Sequence, residues 1–283
     1  MSVRPGILYV VATPIGNLED ISQRALRILA EVDLIAAEDT RHSRRLLQHY
    51  AIGTPLRSYH DFNEEQAGDR LLEILQSGQD VALISDAGTP LISDPGYRLV
   101  RAAHEQAVRV VPVPGPSALI AALSAAGLPT DRFLFAGYPP VKKAARCEYF
   151  AALVDETATL IFYEAPHRIR ACLVDAVEAF GPEREAVLAR ELTKRFETIR
   201  KGTLSELSRD ANEAEDRSRG EFVVLIRGIE AVPAAGEEET ARLLGILLEE
   251  LPLKKAAALA AKISGRKKNE LYSLGLALVR SKG

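Results

Sequence analysis

The chain has 283 residues, 47% apolar and 27% charged, which excludes a disordered or fibrous protein and suits two domains of ordinary size. Its formal net charge of −3 excludes a globally basic protein, so a nucleic-acid partner has to be met by a local basic patch. The two cysteines, Cys147 and Cys172, cannot staple a chain this long, and with the five histidines they show no zinc-type spacing; free thiols, a reducing cytoplasmic setting and no bound metal are expected.

The first apolar run, Ile7 to Ala12, is too short for a signal peptide or a membrane span and reads as a strand, so no membrane partner is expected. Ile21 to Ala30 reads as a helix, with Leu26 and Leu29 at helical spacing. Val32 to Ala37 is a second strand and Thr40 to His49 a second helix. A polar loop, His60 to Glu64, follows, in which Asn63 either caps the next helix or touches substrate. Then come a helix over Glu64 to Gln76, a strand over Val81 to Ser85, a helix over Gly96 to Glu105 and a strand over Val108 to Val111. Alternating strands and helices predict a mostly parallel sheet covered on both faces, with ligands bound beyond the carboxyl ends of its strands.

Three turns rich in Gly and Pro fall at those ends: Thr13 to Asn17, Asp86 to Pro90, and Pro112 to Ser117. Any one of them reads equally well as a tight connection; three on the same side of the sheet favour a ligand cleft. A second segment begins near Leu128, with strands at Phe133–Ala136, Ala158–Tyr163, Ala186–Ala189 and Glu221–Arg227 and helices at Pro166–Phe180 and Leu204–Ala214. Residues 231–239 read as a linker. The expected division is 1–118, 119–230, the linker 231–239, and a helical appendage over 240–283.

In that appendage a helix starts at Pro252, with Ala256, Ala260 and Ile263 on one face. Ser264-Gly265 breaks it, and Leu271, Leu274 and Leu278 mark a second helix, as in a helix-turn-helix unit. From Leu251 onward eight cations stand against one acid, a local charge of +7 on a chain of −3. Arg266, Lys267 and Lys268 cluster at the turn, where phosphate contact competes with a merely solvated face.

The motifs TPIGNLEDIS (13–22), AEDTRHS (37–43), SDAGTPLISDPG (85–96), PGPSA (114–118), FLFAGYPP (133–140), YEAPHR (163–168) and RELTKRFE (190–197), taken in order, resemble the tetrapyrrole-methylase superfamily, and within it the ribosomal small-subunit methyltransferase I family. The resemblance covers residues 7 to about 227, and the tail less specifically. It implies an α/β fold: two α/β domains with the cofactor cleft between them, plus a small C-terminal helical appendage. It implies S-adenosyl-L-methionine as cofactor and, as activity, 2′-O-methylation of cytidine 1402 in 16S rRNA within the small ribosomal subunit. It also implies a homodimer.

Carried over by motif, the donor site involves Pro14, then Ala87, Gly88, Thr89 and Ile92, then Ser117 and Ala118, and Glu164 from the second half. Many superfamily members carry Gly-Gly-Asp where this chain has Ala87-Gly88-Thr89, so the resemblance leaves the partner of Thr89 open.

A ribose hydroxyl is a poor nucleophile until its proton is taken. Asp39 or Glu38, directly after the second strand, is the first candidate base, with Arg41 placed for a phosphate; the competing reading makes Asp39 or Thr40 a helix cap. His167 is a second candidate base beside Glu164 and Arg168. Arg41, Arg168 and Lys194 around the cleft and Arg266, Lys267 and Lys268 in the tail are the candidate RNA contacts. Two other readings compete. One is a methyltransferase for a tetrapyrrole or other small molecule, which needs no basic appendage. The other is a non-catalytic ribosome-binding assembly factor, which needs no intact donor loops.

Overall fold

The computed structural model describes residues 4–60, 64–213, 220–230 and 237–281. Asn63, linker residues 231–236 and Lys282 lie outside the described residues, as does the side chain of Arg280. The chain divides into one compact unit over residues 1–229 and a second over 230–283.

The first half of unit one runs β1 (Ile7–Val11), α1 (Gln23–Glu31), β2 (Leu34–Ala37), α2 (Thr40–His49), β3 (Leu56–Ser58), α3 (Glu64–Gln76), β4 (Val81–Ile84), α4 (Tyr97–Glu105) and β5 (Arg109–Val113). These strands form an all-parallel sheet in the order β3-β2-β4-β1-β5. Every residue of β2 and β4 is buried, as expected of strands covered on both faces. Their period of two divides them cleanly. Ile35, Ala37, Ala82 and Ile84 pack with Leu29 of α1 and Leu47 of α2. Leu34, Ala36, Val81 and Leu83 pack on the other face with Leu75 of α3 and Leu99 of α4. Each of the Val, Leu and Ile side chains among them stabilises by about 1.5–3 kcal/mol relative to exposure.

Several ends differ from the sequence expectation by one to three residues, two of them for clear local reasons. Helix α1 starts two residues late because Ser22 is its N-cap, its hydroxyl accepting from the Ala25 N–H at 3.1 Å. Strand β5 runs through Pro112 to Val113. A proline is tolerated there because β5 is the sheet edge and pairs only with β1.

The second half continues with α5 (Ala118–Ala126), β6 (Phe133–Phe135), α6 (Lys143–Ala151), β7 (Thr159–Glu164), α7 (Ile169–Phe180), β8 (Glu185–Arg190), β9 (Thr198–Thr203), α8 (Leu204–Glu213) and β10 (Phe222–Ile226). Its sheet has the order β6-β7-β10-β8-β9; β6 and β7 are parallel and the other pairs antiparallel. Helices α6, α7 and α8 cover one face around Phe150, Phe162 and Phe180. Helix α5 covers the other, and Ile15 from the loop after β1 joins that second core. This contact ties the first loop to the second sheet.

Unit two holds three helices among the described residues: α9 (Glu237–Glu250), α10 (Leu253–Ser264) and α11 (Lys268–Ser281). Its core is Leu244, Ala256, Ala257, Ala260 and Leu271. One expectation is corrected here. Ile263 is not on the packed face but 57% exposed, and Ser264 takes the inward position, its hydroxyl donating to the Ala260 carbonyl at 2.7 Å. Four residues separate Ala260 from Ser264, so the inward stripe continues at i+4 rather than i+3. Gly265 ends α10 at φ +71°, a conformation that favours glycine.

Candidate active site

Because β4, β1 and β5 are neighbours, the loops at their carboxyl ends lie side by side. Thr13 and Gly88 form an antiparallel bridge between the first two loops, with the Thr13 N–H donating to the Gly88 carbonyl at 2.8 Å and the Gly88 N–H returning to Thr13 at 3.1 Å. The Thr89 hydroxyl donates to the Pro116 carbonyl at 3.0 Å and joins the second loop to the third. Thr89 thus holds two loops together while also lining the cavity described below. The second loop is strained, since Leu91 and Ser93 sit at φ +73° and +70°. Each such residue costs about 1–3 kcal/mol, and such strain clusters at ligand sites.

Helix α5 opens toward the same place. Ser117 occupies its N-cap without a side-chain cap bond, which leaves backbone amides of the first turn for a ligand. The Leu119 N–H already donates to the Tyr163 hydroxyl at 3.1 Å. Burial pushes the Tyr163 phenol up to about 12, so it stays a neutral partner. At the end of β7 the Glu164 side chain is fully buried. One of its oxygens accepts from the Ala165 N–H at 2.8 Å, and the Arg168 guanidinium stands 3.2 Å from the same oxygen. The other oxygen is buried without a conventional hydrogen bond, and the Glu164 carboxylate interacts with the buried Cys172 thiol.

These parts line one cavity of about 390 Å³. That is within the range of small-molecule sites. Ala87, Gly88, Thr89, Ile92, Ser117 and Ala118 lie on its wall, as do Glu164 and Glu38. So do Ile15, Asp86, Asp94, Tyr138, Tyr163 and Glu221, which sequence reasoning did not single out as site residues. The signal for the tyrosines was present: both lie inside strand-to-loop motifs, at positions where a purely structural residue is usually aliphatic.

Pro14 lies elsewhere, on a second cavity of about 250 Å³ with Gly16, Leu18, His42 and Ser43. Asp86 lines both cavities. Asp39 lines neither. It caps α2, accepting from the Arg41 N–H at 2.7 Å, and its carboxylate pairs with the Arg41 guanidinium at 3.0 Å. The Arg41 side chain, and then the Arg41 N–H, hold the Asp39 carboxyl down at about 2. The Asp39 N–H in turn donates to Asp86 at 3.0 Å. His167 is exposed at the start of α7, outside both cavities.

Two candidate RNA contacts turn inward. Arg168 donates to the Pro139 carbonyl besides facing Glu164. Lys194 bonds Glu191 at 3.0 Å and Glu221 at 2.8 Å. Burial works against its charge, yet these carboxylates outweigh it and raise its pKa above the ordinary lysine value. The Lys194 stem also lies across the first loop: a Cβ at Gly16 would come within 2.4 Å of it. Arg41 is 86% exposed. In unit two, Arg266 is partly buried 3.9 Å from Glu270, while Lys267 and Lys268 are exposed.

Cys147, Asp175 and Glu178 bring possible metal-ligand atoms within 4.8 Å of one another. Cations already occupy the two carboxylates. Arg146 bonds Asp175 at 2.5 and 2.7 Å, and Lys143 lies 3.7 Å from Asp175 and 3.8 Å from Glu178. This is an ion-pair network, and its buried Arg146 also holds the Pro140 and Val141 carbonyls. No helix among the described residues is long and apolar enough to cross a membrane.

Residues 7–208 match the family described as tetrapyrrole (corrin/porphyrin) methylases, and residues 234–279 match a C-terminal helix-turn-helix domain named for RsmI. Curated relatives called ribosomal RNA small subunit methyltransferase I are similar over nearly their whole length. The protein from Pseudomonas aeruginosa is 60% identical, covering 96% of this chain and 97% of the relative. That from Escherichia coli O157:H7 is 54% identical, covering 96% and 95%. Among solved structures, diphthine synthase superposes with a TM-score of 0.59 at 15% identity, covering 78% of this chain and 90% of that one. Uroporphyrin-III C-methyltransferase from Thermus thermophilus gives 0.55 at 22%, covering 78% and 94%. These likenesses concern the fold alone. The fold, the linked loops and both sequence matches lead to one conclusion: the chain belongs to the tetrapyrrole methylases and, within them, to the ribosomal RNA small subunit methyltransferase I family.

Proposed function

We propose that this methyltransferase moves a methyl group from S-adenosyl-L-methionine to the ribose 2′-hydroxyl of cytidine 1402 in 16S rRNA, within the small ribosomal subunit. The observation that carries the reading is the single cavity where three tied loops of the first sheet meet Glu164 and Tyr163 of the second half. Its features fit the donor. The open amides at the start of α5 suit a carboxylate, the Glu164 oxygen without a conventional hydrogen bond suits a donor amine or hydroxyl, and Gly88 lets backbone come close.

The bound donor supplies a sulfonium-activated methyl group, so the protein's work is alignment and proton removal. The S–CH3 bond breaks as the O–CH3 bond forms, and the hydroxyl proton passes to a carboxylate. Glu38 suits that role better than Asp39. It lines the donor cavity, whereas the Asp39 carboxylate is engaged by Arg41 and is a weak base at a pKa of about 2. Arg41, exposed beside it, suits a phosphate, and Lys267 and Lys268 in the appendage suit others. The protein is read as cytoplasmic and homodimeric, with domain limits at 118 and 230.

The test is methyl transfer to purified small subunits, with mass spectrometry of the digested RNA. A methyl on the 2′-oxygen of that one cytidine is expected. A methyl only on a small tetrapyrrole, or none on RNA, overturns the reading.

A further inference from the structure

The second cavity is separate from the one assigned above to the donor, yet the two share a wall. Asp86 faces both spaces, and the loop after β1 runs between them, with Ile15 on the donor side and Pro14 and Gly16 on the other. A group held in this second space therefore sits next to the place where the methyl is delivered. At about 250 Å³ it is the size of a nucleoside rather than of a longer oligonucleotide.

Its wall is mostly apolar, with a few polar groups set into it. Ser43, 2% exposed, belongs to it, and the Ser43 hydroxyl has no hydrogen-bond partner. A buried hydroxyl left unsatisfied is costly, and native proteins rarely retain one without a use. Asp86 spends one oxygen on the Asp39 N–H; its other oxygen accepts no bond among the described residues. Leu18, 39% exposed, offers an apolar edge at the rim. Outside, α2 presents Arg41, His42, Arg44 and Arg45 to solvent, and Arg45 also lines the cavity. A small, mostly apolar pocket with a few hydrogen-bonding groups, flanked by a basic helix, suits a single nucleotide taken out of a stack. The helix meets phosphates while the pocket reads the base.

We propose that this cavity is the acceptor subsite, which receives the base of the target nucleotide. The Asp86 carboxylate accepts from an exocyclic amino group, and the Ser43 hydroxyl donates to the adjacent ring nitrogen. This pattern selects cytosine over uracil, because a carboxylate is the natural acceptor for the cytosine amino group and uracil offers a carbonyl there. The proposal rests on the RNA-methylating reading above and deepens it.

The experiment uses the full-length protein with three variants, Ser43→Ala, Ser43→Leu and Leu18→Trp. Three quantities are measured: KM for purified small subunits, donor affinity by calorimetry, and melting temperature. Ser43→Leu and Leu18→Trp obstruct the pocket from its wall and its rim, and KM should rise at least tenfold with donor affinity unchanged. Ser43→Ala should raise KM several-fold without lowering the melting temperature, since the hydroxyl it removes has no partner in the folded protein. Leu18→Trp, at an exposed position, keeps the test valid if Ser43→Leu fails to fold. In parallel, cytidine 5′-monophosphate should inhibit the wild type competitively against subunits at concentrations where uridine 5′-monophosphate does not. Unchanged KM in Leu18→Trp and Ser43→Ala, or equal inhibition by both nucleotides, overturns the subsite alone, provided the wild type methylates subunits. A wild type that binds donor but transfers nothing to subunits overturns both the subsite and the reading beneath it.

Discussion

Thr13 and Gly88 exchange a pair of backbone hydrogen bonds, 2.8 and 3.1 Å long, and so lock together loops from two parallel strands, Gly88 lining the proposed donor cavity and Thr13 the second one. Gly88 stands at φ +81°, and an added Cβ there would lie 3.3 Å from the Ile15 side chain. Gly88→Ala therefore combines backbone strain of about 1–3 kcal/mol with crowding of the cavity wall. Donor affinity should fall at least tenfold by calorimetry. Gly181→Ala is the control: φ there is +91°, but nothing lies within 4 Å of its Cβ. It should lower the melting temperature and leave donor binding intact. Equal effects of the two variants on donor affinity would remove Gly88 from the site.

Glu38→Gln and Asp39→Asn separate chemistry from capping. Glu38→Gln should lower kcat by roughly 10²–10⁴, the loss typical of a missing general base, with donor affinity near that of the wild type. Asp39→Asn keeps an N-cap side chain and loses only the Arg41 pairing, so kcat should fall less than tenfold. The reverse order in single-turnover rates would return the base to Asp39.

The Asp39 carboxyl also sets a pH dependence. Its folded pKa is depressed from 3.8 to about 2, chiefly by the Arg41 side chain. A depressed carboxyl contributes stability above its unfolded pKa and loses it as pH falls through the folded one. The wild-type advantage over Asp39→Asn should therefore be constant above about pH 4.5, shrink between pH 4 and 2, and be absent below. Melting temperatures of the two proteins across that range check it; a difference that widens on acidification would show the sign to be wrong.

Much of the first sheet is legible in the chain itself. Strands buried on both faces are short unbroken apolar runs, and α2 and α3 begin and end where the helical spacing places them. The elements that escaped have little burial to announce them. In β3 only Leu56 is partly buried, and β9 is an edge strand, TIRKGT, exposed over its first four residues. Helix α6 hides its amphipathicity because its inward residues include a charged one, Arg146, paired with Asp175. The three linked loops are legible because Gly and Pro mark them. The second cavity is not, because Ser43 and Asp86 both line it, and no local spacing links residues 43 apart. The inward turn of Lys194 was hidden for the same reason: its partners Glu221 and Gly16 are remote in sequence.

The appendage carries a prediction of its own. Lys267 and Lys268 are exposed at the start of α11, beside the partly buried Arg266. Replacing all three with Ala should weaken binding to small subunits and flatten its salt dependence by roughly 0.7–0.9 in log–log slope per lost phosphate contact. Exposed charges contribute little to folding, so the melting temperature should hold. Affinity at several salt concentrations decides the matter. Slopes identical to wild type would leave RNA contact to the basic face of α2.

The partition between the two cavities is a single residue thick. Ile15 is 9% exposed, lines the donor space and belongs to the core that joins the first loop to α5, while its neighbours Pro14 and Gly16 face the other way. Shortening that side chain to alanine would cost about 2–5 kcal/mol of stability, as truncations in packed cores do. It would also open room between the two spaces, where the proposed donor and acceptor sites adjoin. The same position is thus a handle for reprogramming the cargo. With Ile15→Ala, synthetic donors bearing ethyl or propargyl groups in place of methyl would find the clearance that the natural isoleucine denies them, and the enzyme would become a tool for tagging RNA.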